Sequence, residues 1–370
     1  MQTGIESADL SKRLASLDFM RGLIMVLLAL ESTGLYNVLY ENTQNSALGL
    51  FFIQFHHHPW NGLRFWDLVQ PAFMFMAGIA MSFSISKMKE KNFSPSNRNK
   101  KIFKRCGWLF FWGVLNYAVR KNGLSFELWN VLTQLSFTIL IAYLIFEWKI
   151  KSQIIFSILL LLLTEAMYRF THIPGFDQPF TDQKNFGNYV DLILMNKINH
   201  GGWVAINCIP TAVHTIAGAI LGKVFLKKEL NNLKWLIYWG FALLAIGYLL
   251  DLMHITPIIK RIATSSFTVA SLGYCLLFFA AAYYLIDIKH RKKNIFFFQV
   301  VGMNSIFIYL FFEIVGDRWF NGYVAAITNG LMEIIQIPFF IQSIITCVCI
   351  FILEWGLCLF LYRKKIFFRL

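Results

Sequence analysis

Residues 54–71 read QFHHHPWNGLRFWDLVQP, the densest polar cluster in the chain. His56, His57 and His58 are consecutive, followed by Trp60, Asn61, Arg64 and Asp67. Three adjacent histidines cannot all point one way from a regular helix or strand. Metal sites favour i,i+4 spacing or ligands from elsewhere, so no metal is expected here. A histidine beside a carboxylate is instead the recurrent arrangement of a general base or nucleophile. The carboxylate fixes the imidazole tautomer and steadies its cation. Asp67 is the nearest carboxylate, so His57 and Asp67 are the expected pair. His58, Trp60 and Asn61 are expected to face the substrate. The competing reading is a polar interface loop with Trp60 and Trp66 in an aromatic belt.

Other ionisable groups fall inside apolar runs, where they are costly and functional by default. Asp18 and Arg21 are i,i+3 neighbours on one helix face. They read either as a local ion pair or as a basic group aimed at an anionic ligand from the cytoplasm. Glu31 follows ten residues after Arg21, about 15 Å further along a helix. It must be protonated, paired or facing a wet cavity, and is expected to share in catalysis. His214 lies in NCIPTAVHTIAGAILG with Pro210, Thr211 and Thr215. A helix-packing hydrogen bond and a substrate contact are both open for it. Asn304 and Ser305 read either as interhelical glue or as ligand-binding groups. Lys260 and Arg261 follow Pro257 and hold either an acidic group of the protein or an external anion. Glu165, Asp251, Glu313 and Glu354 lie near the ends of runs and carry little information. The six cysteines lie in apolar runs without CxxC spacing. No phosphate-cradling glycine loop, GxSxG or HExxH is present.

The elements that must position these groups are membrane helices. Of 370 residues, 57% are hydrophobic and 15% charged, against about 25% charged in soluble domains. This excludes a disordered chain, a coiled coil and an ordinary soluble enzyme. A span needs about 20 mostly apolar residues. Ten runs qualify, at about 19–39, 66–86, 103–119, 129–147, 153–169, 204–225, 234–252, 265–287, 295–315 and 338–362. The first holds Arg21 and Glu31 and lacks a small-residue cleavage site, so it reads as a retained helix and not a cleaved signal. The expected fold is an all-α integral membrane protein of about ten transmembrane helices, as two five-helix bundles around a central cavity. The chain is expected to be one polytopic domain, 1–370, with a cytoplasmic segment 1–16, a transmembrane core 17–362 and a cytoplasmic tail 363–370. With the N-terminus inside, 24 of the 34 Lys and Arg fall in inside segments and nine outside. That bias predicts cytoplasmic termini. The net charge of +14 is thus chiefly an orientation signal, and no nucleic-acid partner is expected.

Two stretches carry a resemblance: RLASLDFMRGLIMVLLALE (13–31) and HHPWNGLRFWDLVQPAFMFMAGIAMSFS (57–84). They resemble the heparan-α-glucosaminide N-acetyltransferase family and its bacterial relatives. The matching positions are Leu17, Asp18, Arg21 and Gly22, then His57, Trp60, Asn61, Gly62, Leu63, Asp67, Leu68, Val69 and Pro71. Weaker matches are Gly302-Met303-Asn304-Ser305 and Pro257 with Lys260, Ser265 and Ser266. The sequence departs at Leu30-Glu31-Ser32-Thr33, where the family has an Asn at the position of Ser32. It departs again at Leu132-Thr133-Gln134, where an Arg is missing.

The resemblance implies a multi-pass enzyme of the bacterial inner membrane. Such an enzyme takes acetyl-CoA from the cytoplasm and delivers acetyl to the amine of an amino sugar on the periplasmic side. It places the reactive histidine at His57, and a homodimer is implied by resemblance alone. Asp18, Arg21, Ser32, Asn304 and Ser305 are the expected acetyl-CoA contacts, Arg21 suiting the phosphates. His58, Trp60, Asn61, Lys260 and His214 are the expected acceptor contacts. His57 could carry the acetyl group or deprotonate the incoming amine. The alternative is a secondary transporter for a sugar or related solute, with Glu31 as its proton-coupling carboxyl.

Overall fold

The apolar runs fold as α-helices, which pair every backbone N–H and C=O within one segment. The computed structural model describes residues 14–120, 123–227, 233–291, 293 and 295–368. Lys12, Arg13, Lys121, Lys228, Lys292 and Arg369, which contribute to the expected orientation, lie outside the described residues. In chain order the helices are α1 (Ala15–Ser32), α2 (Leu35–Glu41), α3 (Ala47–Phe52), α4 (Val69–Glu90) and α5 (Pro95–Ala118). Then come α6 (Val131–Leu144), α7 (Ile150–Phe170), α8 (Phe186–Met195), α9 (Cys208–Leu226) and α10 (Leu233–Leu252). The last are α11 (Ser265–Tyr283), α12 (Ile295–Met303), α13 (Ser305–Phe311), α14 (Asn321–Ile334) and α15 (Phe339–Arg363). Two short strands, β1 (Val119–Arg120) and β2 (Gly123–Leu124), pair antiparallel after α5.

Among the described residues, six helical stretches are long and apolar enough to cross a membrane, and eight if each of two bent pairs counts as one span. The bent pairs are α1 with α2, at 63°, and α12 with the segment Ser305–Ile334, at 74°. This is fewer than the ten runs expected. The 103–119 run sits in α5, whose first turns read PSNRNKKIFKR and are too polar. The 129–147 run yields α6, which has 14 residues and so spans about 21 Å, short of a ~30 Å hydrocarbon core.

The chain divides into two compact units, one covering 45–277 and the other joining 1–44 to 278–369. In the terminal unit, α1 and α12 lie backbone to backbone: a Cβ at Gly22 would stand 2.0 Å from the carbonyl oxygen of Phe298. The start of α1 is capped from a distance. Asp287 accepts from the backbone N–H groups of Ala15 and Ser16, both at 3.0 Å, satisfying two donors that a helix N-terminus leaves free.

In the central unit, α4 and α9 cross with the same intimacy. A Cβ at Gly218 would meet the Phe75 oxygen at 1.9 Å, and the Ser82 hydroxyl donates to the Ala219 carbonyl at 2.8 Å. Small residues allow this approach, and dispersion between the backbones holds it. The crossing fixes α4, at whose head Asp67 stands. Elsewhere in this unit α7 exposes Ile155, Leu159 and Leu162, and α10 exposes Trp235, Tyr238 and Phe241. In a membrane protein such apolar faces meet lipid.

Candidate active site

A short loop, 56–64, enters the span that begins at Phe65, and its geometry is set by one carboxylate. Asp67 is 1% exposed. Its Oδ2 accepts from the backbone N–H of Arg64 at 2.9 Å and of His58 at 3.2 Å. The N–H of Asp67 returns a bond to the Arg64 carbonyl at 3.0 Å. The Arg64 guanidinium donates to the His57 carbonyl at 3.0 Å, closing the loop on itself. Gly62 turns the chain at φ +142°, and a Cβ there would lie 2.6 Å from the His58 ring. Its N–H donates to the Ile258 carbonyl at 2.8 Å, and Asn61 pairs with Ile259 in an isolated antiparallel bridge. The loop is thus laced to the segment that follows Pro257.

These bonds leave Oδ1 of Asp67 for His57, whose Nδ1 lies 2.9 Å away. The His57 side chain is 34% exposed while Asp67 is buried, so the ring links a dry carboxylate to an open side. With Nδ1–H donating to the carboxylate, Nε2 carries the lone pair. The edge of the ring meets Trp203, with centroids 5.5 Å apart. Lys260, 6% exposed, places Nζ 3.1 Å from His57 Nδ1 and 3.8 Å from Asp67 Oδ1. It also lies 4.9 Å over the Trp203 ring. Burial, then the Lys260 charge, lower the His57 pKa to about 4 against the opposing pull of Asp67. The ring is therefore neutral at physiological pH. Burial, then Arg64, also lower the His58 pKa.

The wall that presents Trp203 is itself built around a carboxylate. Asp191 of α8 accepts from the Ala205 N–H at 2.9 Å and from the Trp129 indole at 2.9 Å. Burial raises Asp191 to about 7. Trp60 donates its indole N–H to the Phe180 carbonyl at 2.7 Å and packs against Tyr168, Val204, Ile259 and Ile262. One turn beyond Asp67, Gln70 donates to the buried Gln134 of α6.

The structure brings together His57, His58, Trp60, Asn61, Asp67 and Lys260 from the expected set, all in the central unit. Lys260 faces the protein's own acidic group, Asp67, which is one of the two partners expected for it. His214 is fully buried. Its Nε2 pairs with Ser271 at 2.8 Å and its Nδ1 with the Thr211 carbonyl at 3.3 Å. Helix packing, one of the two readings open for it, thus uses both nitrogens.

Asp18, Arg21, Glu31, Ser32, Asn304 and Ser305 belong to the terminal unit. Arg21 donates to the Ser305 hydroxyl at 2.9 Å, joining two of the expected acetyl-CoA contacts. Asn304 is spent on the C-terminal tail, donating to the Ile366 carbonyl at 3.1 Å and accepting from the Phe368 N–H at 2.9 Å. Ser32 donates to the Ala29 carbonyl of its own helix. Glu31 is exposed at the end of α1, near the bend into α2. Trp203 and Asp191 were not among the sequence candidates. No local motif marks them, because their roles arise only when α8 and the 203–205 turn pack beside the histidine loop.

A family model described as "Heparan-alpha-glucosaminide N-acetyltransferase, catalytic" matches residues 13–237. That stretch holds His57, Asp67 and Trp203. No curated protein matches the chain.

Proposed function

Given that the chain belongs to the heparan-alpha-glucosaminide N-acetyltransferase family, we propose that it moves acetyl from cytoplasmic acetyl-CoA to the amine of an amino sugar across a bacterial inner membrane. The observation that carries this reading is the bond between His57 Nδ1 and Asp67. It turns a neutral imidazole so that Nε2 offers its lone pair on the open side.

In direct transfer, the amino-sugar ammonium gives a proton to Nε2, and the freed amine attacks the thioester carbon. A C–N bond forms, the C–S bond breaks, and the sulfur leaves as thiolate. The amine nitrogen gives up two protons in all, of which one ends on sulfur and one is released to water. In transfer through the enzyme, Nε2 itself takes the acetyl group and passes it to the amine. Both routes need the same free lone pair. Asp67 orients the ring and stabilises its cation. Asn61, exposed on the same loop, is the proposed donor to the developing carbonyl oxyanion.

The test is purified protein in lipid nanodiscs given labelled acetyl-CoA and glucosamine. N-acetylglucosamine formation supports the reading. Its absence, with the protein folded, overturns it.

A further inference from the structure

Lys260 lies next to the proposed catalytic histidine, on an element far away in sequence, and the chain goes to some length to hold it there. The Thr264 and Ser266 hydroxyls both donate to the Pro257 carbonyl at 2.7 Å. The Ile259 N–H donates to Thr264 Oγ1 at 3.0 Å, and the Ala263 N–H to the Lys260 carbonyl at 2.9 Å. Asn207 Nδ2 reaches the Arg261 carbonyl at 3.3 Å. The result is a rigid turn that buries an ammonium beside a carboxylate and an imidazole.

Nδ1 of His57 thereby faces two partners of opposite kind. The carboxylate of Asp67 accepts from Nδ1–H in the tautomer that frees Nε2, and in that tautomer the Lys260 ammonium, 3.1 Å from Nδ1, acts on the ring as a neighbouring positive charge and not as a donor to it. A lone carboxylate beside a buried imidazole favours the imidazolium, in which both ring nitrogens are protonated and Nε2 has no lone pair. A cation 3.8 Å from the same carboxylate oxygen already balances its charge. It also opposes a second positive charge on the ring. Among the described residues, His56, His58 and Arg64 share its loop, and Arg261 beside Lys260 adds a further positive charge. Burial and Arg64 lower the His58 pKa, and Arg261 acts on His57 in the same direction as Lys260.

We propose that Lys260 is a positioning residue that keeps the His57 ring uncharged beside Asp67, so that Nε2 is available to the amine or the thioester. The proposal rests on the transferase reading for its consequence in catalysis, but not for the ring's charge state, which can be measured separately.

Two variants of the full chain in nanodiscs test it, Lys260→Met and Lys260→Arg. Removing the charge moves the acid limb of the kcat/KM profile upward by about one to three pH units. Rate lost at about pH 6 then returns by about pH 8. Lys260→Arg keeps the charge and holds the limb nearer to the wild-type position. In parallel, ¹⁵N-histidine NMR, with the His57 signals assigned by their absence in His57→Gln, reads the ring directly. The expected result is a neutral ring in the wild type and a protonated one in Lys260→Met at the same near-neutral pH. A neutral ring in Lys260→Met, or a loss of rate equal at every pH, overturns the proposal. If Lys260→Met does not fold, Lys260→Arg decides alone, since an acid limb displaced as far as the charge-deleting shift given above contradicts the charge argument. A wild type that transfers no acetyl overturns the transferase reading instead, and the NMR comparison still decides the role of Lys260.

Discussion

Replacing Asp67 with Asn tests the geometry of the site most sharply, because the structure dictates which way the amide must turn. Oδ2 of Asp67 accepts two backbone N–H groups, from His58 and Arg64. An Asn side chain must offer them its oxygen, since its NH₂ group would leave two donors facing donors. The NH₂ then points at His57 Nδ1, which has to accept. The neutral ring responds by carrying its proton on Nε2, the nitrogen the reaction needs. Restoring the productive tautomer loses a hydrogen bond to a charged acceptor, worth about 1.5–3 kcal/mol, and leaves an N–H pointing at an N–H. Together these raise the barrier by ~3–4 kcal/mol, which lowers kcat/KM by roughly 10²–10³-fold. The assay is acetyl transfer to glucosamine from labelled acetyl-CoA, with Asp67→Asn and wild type compared in nanodiscs. Thermal unfolding establishes that the variant is folded. A folded Asp67→Asn with wild-type kcat/KM would refute the claim that this carboxylate sets the tautomer.

Other outcomes follow from the same structure. With the His57 pKa lowered to about 4, wild-type kcat/KM should hold as the pH falls through 6.5 and drop only near 4, which a pH–rate profile reads. The same shift links to stability: the folded value lies below the unfolded one, so the unfolded chain binds the extra proton between them. This contribution is complete above about pH 6.5 and fades as pH falls toward 4, which appears as a falling Tm. Gly62→Ala forces an L side chain into φ +142° against the His58 ring. It should destabilise the loop by about 1–3 kcal/mol and lower kcat, as seen by unfolding and transfer assays on one sample. Asp191→Ala strands the buried Ala205 N–H and the Trp129 indole. A loss of about 2–4 kcal/mol in unfolding free energy is expected from the two unmet donors, with weaker transfer through the displaced Trp203.

Much of the site was legible because it is local. His57 and Asp67 are ten residues apart, across a turn that ends in the first residues of a span, so their pairing needed only the loop to close. The helical class was equally plain, since lipid leaves an apolar run few other options. What stayed hidden came from contacts distant in sequence. Lys260 could be read as holding an external anion or an internal acid, and the choice depended on whether the turn after Pro257 reached the histidine loop. Asp191 and Asp287 were not singled out in the sequence, yet each accepts from the backbone of another part of the chain. His214 and Asn304 carried the right chemistry for a site but were taken up by packing and by the C-terminal tail. Fewer helices of spanning length than apolar runs are found among the described residues, because a hydropathy run says nothing about where its helix begins or ends. In α5 the helix extends into a basic segment, and in α6 it stops after 14 residues.

The central claim is that the Nε2 lone pair of His57, presented by Asp67, performs acetyl transfer. Comparing wild type with His57→Ala in the labelled-acetyl assay tests it most directly, with acetyl-CoA binding measured on both proteins. The account predicts transfer by the wild type, and a His57→Ala variant that folds and binds acetyl-CoA but forms no N-acetylglucosamine above background. Undiminished transfer by His57→Ala would contradict it.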